Sequence, residues 1–316
     1  MSNNTKKLEA IKRANIFFKE SLERCLMCPR KCAVNRIKGE TGYCRAGAKA
    51  MVYSCTPHHG EEPPLSGNRG SGTIFFSHCN MKCAYCQNYY FSQLDAGKEV
   101  AVEDLANMML SLQDRGCHNI NLVSPTHFVC QILQALEKAF EKGLNIPIVY
   151  NTGGYELVET ITALDGIIDI YLPDMRYADK AAAKQYSDAP DYVERNRQAV
   201  MEMKRQAGDL EIGGDGIAVK GLMIRLLVLP KGISGTKETL QFIKENIGIH
   251  TFLSIMSQYY PTFKAYDFGK IARPISAEEY KNVVDCAKLL GLNNGWVQEG
   301  PSQSDSGFFG TNIKPT

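Results

Sequence analysis

Six short apolar runs recur from Gly72 onward: GTIFFS (72–77), HNINLVS (118–124), IPIVYNT (146–152), IIDIYLP (167–173), GLMIRLLVLP (221–230) and HTFLSIMSQ (250–258). Their length and β-rich composition predict strands, and their continuous apolar character predicts burial on both faces. Amphipathic stretches separate or follow them: VEDLANMMLSLQDRG, HFVCQILQALEKAFEKG, YELVETITALDG, DYVERNRQAVMEMKRQAG, TKETLQFIKENIG and SAEEYKNVVDCAKLLG. Several of these end in Gly, the residue that closes a helix in the left-handed conformation. Strand-then-helix units in this order predict an α/β fold with a parallel sheet under helices.

Polar residues recur at the C-terminal ends of the predicted strands: Ser124 and Thr126, Asn151 and Thr152, Asp174 and Arg176, Arg225 within its strand, and Gln258. Such residues converge on one mouth if the sheet curls, and in barrel enzymes that mouth carries the catalytic groups. The expected architecture is therefore a partial (β/α)6 barrel and not a doubly wound sheet.

The first 70 residues have a different texture. MSNNTKKLEAIKRANIFFKE has helical spacing, whereas residues 25–70 are rich in Cys, Gly and Pro with little periodicity. This predicts an N-terminal helix, a small cysteine-rich metal-binding module and a linker over 1–68, the barrel over 69–300, and a tail over 301–316. Trp296 is the expected packing anchor at the end of the barrel.

With 316 residues, 44% hydrophobic and 22% charged, the composition is that of a soluble globular protein with a sizeable core. A net charge of +2 gives no electrostatic footprint for nucleic acid or an anionic membrane. The N-terminus lacks the apolar core of a secretory signal, so a cytoplasmic location is expected.

Eleven cysteines form no obvious disulfide framework, and seven lie in two clusters, Cys25/Cys28/Cys32/Cys44 and Cys79/Cys83/Cys86. Cys55, Cys117, Cys130 and Cys286 are scattered and read as buried small hydrophobes. The C-x3-C-x2-C triplet follows the first predicted strand. Three thiolates can hold three corners of a [4Fe-4S] cluster and leave one iron open, as catalytic zinc sites leave a position open. The N-terminal four thiols satisfy a tetrahedral zinc or a fully ligated second [4Fe-4S] cluster equally well.

The triplet, with Tyr85 before its last cysteine, resembles the loop of the radical S-adenosylmethionine (SAM) enzymes. CQN, GEEPPLSG, GSGTIFF, LVSPTHF and IYLPDMRY resemble the branch related to pyruvate formate-lyase activating enzymes, and the likeness covers residues 55–300. It implies a partial barrel of the radical SAM type. It also implies a [4Fe-4S] cluster on Cys79, Cys83 and Cys86, SAM bound at the open iron, and a 5'-deoxyadenosyl radical that abstracts hydrogen from a substrate. The electron donor would be a flavodoxin or ferredoxin and the target a glycyl radical enzyme. Radical modification of another peptide or a small molecule is the alternative, and a non-catalytic iron–sulfur carrier or metal-stapled scaffold is the rival of another class.

By the same resemblance, Tyr85, Ser124, Thr126, Asn151, Thr152, Asp174, Arg176, Arg225 and Gln258 become candidate cofactor contacts. Relatives place Gly-Gly-Glu where this chain has Ser124, Pro125 and Thr126, so no carboxylate is expected there for the cofactor's ammonium. His78 occupies a position usually held by Gly and reads as a structural histidine.

Overall fold

The computed structural model describes residues 3–298, so the proposed tail over 301–316 lies outside the described residues. The strands are β1 (Ala50–His58), β2 (Ser71–Phe76), β3 (Lys98–Val100), β4 (Ile120–Val123), β5 (Ile148–Thr152), β6 (Ile170–Pro173), β7 (Glu211–Ile212), β8 (Ala218–Leu227), β9 (Phe252–Met256) and β10 (Gly295–Val297). They join in the order β10-β9-β8-β6-β5-β4-β2-β1-β3, with β7 folded back on β8.

All six predicted strands are present as β2, β4, β5, β6, β8 and β9, paired in parallel. The fold class is α/β with a parallel sheet, in line with a partial barrel. β10 adds a further parallel strand beside β9, while β1 and β3 extend the other edge antiparallel. β1 lies in the stretch read from sequence as module and linker. Its Ser54, Thr56 and His58 sit at a half-buried edge, where the apolar pattern that marks a central strand is not required.

The predicted helices cover the sheet, and Val129–Glu141 shows why they form. Its Val129, Ile132, Leu133, Leu136, Ala139 and Phe140 make one buried stripe, which packs against Val102–Asp114 and the N-terminal helix Asn3–Phe17. The last helix, Ala277–Leu289, begins with a reciprocal cap: Glu279 N donates to Ser276 Oγ at 3.1 Å, and Ser276 N donates to Glu279 Oε2 at 2.8 Å.

The two faces of the sheet bury different sets of residues. One joins the helices and includes Cys25, Met27 and Cys44, so the N-terminal cysteine segment packs into the same core. The other gathers Val149, Ile170, Leu172, Ala218, Met223 and Phe252 around Leu65, with Trp296 against them, as an inner filling below the strand ends. Among the described residues no helix is long and apolar enough to cross a membrane.

Candidate active site

The cysteine loop leaves β2 at Phe76. His78 adopts φ +69, the left-handed region that favours glycine. Its amide donates to Phe91 O at 2.9 Å, and its ring Nδ1 lies 3.2 Å from Asp95 Oδ1 without making a hydrogen bond.

Beyond it, Met81 N donates to Cys79 Sγ at 3.4 Å, Cys86 Sγ lies 3.2 Å from Ser92 Oγ, and Ser187 Oγ donates to Cys83 Sγ at 3.0 Å. Arg176 Nη1 approaches Cys83 Sγ at 3.8 Å. Tyr85 OH, Tyr177 OH and Ser187 Oγ form a chain with 2.7 Å steps that ends on Cys83.

Burial, followed by the charge of neighbouring Cys83, pushes the Cys79 thiol up to about 12 and that of Cys86 up to about 11. Three crowded thiols resist ionising together until a cationic group joins them, and a coordinating metal does so. Among the described residues no three His, Cys, Asp or Glu side chains converge as ligands of a single ion. The loop donors fit a cluster, whose thiolates attach at separate iron atoms.

Beside the loop opens a cavity of about 270 Å³ lined by Tyr85, Cys86, Asn151, Asp174, Arg176, Arg225 and Gln258. A charge network fixes its wall. Asp174 accepts from Arg176 through Oδ2 and from Arg225 Nε through Oδ1 at 2.8 Å. Arg225 Nη2 donates to Asn151 Oδ1 at 2.6 Å. The segment around Asp174 is held from behind by the helix Tyr192–Ala207, whose Asn196 Nδ2 donates to Asp174 O at 2.9 Å. Tyr192 OH accepts from Arg176 N at 3.0 Å. A polar, concave site at the C-terminal ends of parallel strands, with thiols on one side, suits a cofactor bearing amino, carboxylate and ribose groups.

Residues 73–208, from β2 to the end of the helix Tyr192–Ala207, match the Radical SAM superfamily. The chain carries a radical SAM domain. An uncharacterized protein of Methanocaldococcus jannaschii is 29% identical over 289 residues, covering 87% of this chain and 77% of its own length. The FeFe-hydrogenase maturase HydG from Carboxydothermus hydrogenoformans is 12% identical with a TM-score of 0.49, over 70% of this chain and 50% of that one. Methylornithine synthase (PylB) is 14% identical with a TM-score of 0.47, over 74% of this chain and 72% of that one. The chain thus spans about half the length of the HydG maturases it matches.

Three candidate contacts of the radical SAM domain do not line this cavity: Ser124, Thr126 and Thr152. Neighbouring strand residues face opposite sides, so Asn151 and Thr152 cannot both point inward. Thr152 Oγ1 and Thr126 Oγ1 instead donate to Glu156 Oε1, the latter at 2.6 Å, on the helix-covered side. Ser124 takes φ +56 just past β4, the conformation a glycine would supply.

The cavity also holds residues not singled out as contacts: His58, Glu61, Glu62, Trp296 and Gln298. Glu61 Oε2 lies 3.7 Å from Arg225 Nη1. Burial, then the neighbouring Glu62, pushes the Glu61 carboxyl up to about 7. The GEEPP motif was visible in sequence, but only the β1–β2 connection brings it into the barrel interior.

The N-terminal thiols pack on the helix-covered side. Cys25, Cys28 and Cys44 are buried and Cys32 is partly so. The buried Arg36 donates through Nη2 to Cys25 Sγ at 3.1 Å and approaches Cys44 Sγ at 3.7 Å, while Nη1 donates to His127 O at 2.6 Å. Tyr43 N donates to Cys32 Sγ at 3.3 Å. Burial pushes the Cys28 thiol up to about 12. A guanidinium between thiols suits a site that becomes anionic when loaded.

Proposed function

We propose that this chain is a radical SAM enzyme that abstracts hydrogen from a substrate, and that the substrate is a glycyl radical enzyme of the pyruvate formate-lyase type. The observation that carries the chemistry is Cys86 and Tyr85 lining the same polar cavity as Asp174, Arg176 and Arg225 at the strand ends. In this reading Cys79, Cys83 and Cys86 hold a [4Fe-4S] cluster, which when bound supplies the electron that cleaves SAM into methionine and the 5'-deoxyadenosyl radical.

The chain's own residues do the rest. Arg176 and Arg225, fixed by Asp174, present guanidinium donors matched to a carboxylate. Asn151 and Gln258 offer amide groups to ribose or adenine, and Tyr85, tied to Tyr177, gives a rigid aromatic wall. Leu65 and the apolar filling around it keep water from entering beneath. Cys25, Cys28, Cys32 and Cys44, which as placed do not converge on a single ion, hold a second metal group, a cluster in preference to zinc, and a flavodoxin or ferredoxin supplies the electron.

Radical modification of a small molecule or another peptide is the second reading. The compactness of the cavity, about 270 Å³, favours it.

The decisive experiment is anaerobic reconstitution with iron and sulfide, reduction, addition of SAM, and quantification of 5'-deoxyadenosine. The nucleoside should form and should be lost in Cys86→Ala. Its absence from protein with a verified, reducible cluster favours the carrier or scaffold reading. Electron paramagnetic resonance after adding a pyruvate formate-lyase-type protein then tests the target: a glycyl radical supports it, and nucleoside formation without one favours the second reading.

A further inference from the structure

The proposed radical chemistry leaves one part of the cavity unused. Glu61 and Glu62 follow β1 on the segment that Leu65 anchors in the barrel interior, and both line the cavity. Glu62 is only 4% exposed, and its Oε2 has no hydrogen-bond partner. A carboxylate removed from water is destabilising unless a cation or donors meet it.

The protein's own cations at the cavity are committed to other partners. Arg176 and Arg225 share Asp174, and Arg225 also faces Glu61 at 3.7 Å. Asp174, Glu61 and Glu62 thus share these two guanidiniums, and Glu61, raised to about 7, is partly protonated at neutral pH. His58, also in the lining, is held below its ordinary range by burial, so it adds no positive charge at neutral pH. Glu62 makes no ion pair among the described residues and meets Arg225 only at longer range, so its orphaned oxygen stays unmatched.

We infer that Glu61 and Glu62 form an acidic subsite of the cavity that binds an organic cation, a sulfonium or ammonium group. The assignment rests on reading the cavity as the SAM and substrate site. Glu61, raised by burial, gains a stabilised negative charge when the cation arrives. Two sources carry this chemistry: the sulfonium of SAM itself, and an ammonium on a second substrate bound beside it.

The test uses the reconstituted full chain and two matched pairs in calorimetry. SAM against S-adenosylhomocysteine probes the sulfonium, and n-butylammonium against n-butanol on SAM-loaded protein probes a second ammonium. A cationic member should bind about tenfold or more tightly than its neutral partner in one pair, equivalent to about 1.4 kcal/mol. The pair that discriminates identifies the source.

Glu62→Gln should bring that preference close to unity while the variant still melts cooperatively and still binds S-adenosylhomocysteine. Absence of discrimination in both pairs overturns the subsite, as does discrimination that survives both Glu61→Gln and Glu62→Gln. Nucleoside formation is measured separately on the same preparation. Nucleoside without cation preference rejects the subsite alone, whereas no nucleoside from a verified cluster rejects the radical reading.

Discussion

Gly154 shows how narrowly the site is set at the scale of single residues. It sits at φ +77, and a Cβ there would lie 2.2 Å from Asn196 Nδ2 and 2.3 Å from Asp174 O. Both neighbours belong to the support that aims Asp174 at the two arginines. Gly154→Ala should destabilise by about 2 kcal/mol or more, from left-handed strain and overpacking together, and should weaken SAM binding. Urea melts and calorimetry check this, and an unchanged midpoint would remove Gly154 from the account. The same scale shows what the sequence disclosed. Asp174, Arg176 and Arg225 were legible because charges at apolar strand ends are conspicuous. Strand-end position alone does not separate Thr152 from Asn151, because the period-two alternation turns Thr152 away from the cavity, and Thr126 lies in the turn beyond β4. The positive φ values of His78 and Ser124 have no side-chain signature.

At the scale of elements, central strands announce themselves and edges do not. β2, β4, β5, β6, β8 and β9 are covered on both faces and read as apolar runs, whereas β3 and β10 are three residues each and largely exposed. β1 pairs at an edge, and its Pro57 would be unwelcome in a central strand. The N-terminal cysteine segment was recognisable by spacing, but its attachment was not. Arg36 makes that attachment, joining Cys25 and Cys44 to the carbonyl of His127, which in turn donates from Nε2 to Ser77 O at 2.7 Å. Removing the guanidinium takes a donor from the His127 carbonyl and withdraws a positive charge from the thiols. In a Cys79/Cys83/Cys86 triple alanine background, where only the N-terminal set can hold metal, Arg36→Met should lower the metal retained per chain. Elemental analysis of iron and zinc in both proteins tests this and identifies the metal. Equal retention would show that Arg36 serves packing alone.

Across the whole molecule, two buried titratable groups on the helix-covered side set opposing pH dependences. Burial pushes His127 from 6.5 to about 3. The unfolded chain therefore takes up a proton below 6.5 that the native chain refuses, and this contribution to stability is lost as pH falls from 6.5 toward 3. Glu156, fully buried with Oε1 accepting from Thr126 and Thr152 and Oε2 unpartnered, is raised by burial from 4.5 to about 7. Here the native chain keeps a proton that the unfolded chain releases, so its contribution is present below 4.5 and is lost as pH rises toward 7. Each slope is about 1.4 kcal/mol per pH unit within its window, and between 4.5 and 6.5 the two oppose each other. Differences between variants separate them. In urea titrations across this range, the stability of wild type relative to His127→Gln should grow as pH rises to 6.5 and then level off. Relative to Glu156→Gln it should shrink as pH rises to about 7 and then level off. Profiles that run parallel to wild type at every pH would mean that neither group changes its protonation on folding. The packing around Ser77 and Thr152 would then need another explanation for how it tolerates a buried imidazole and a buried carboxyl.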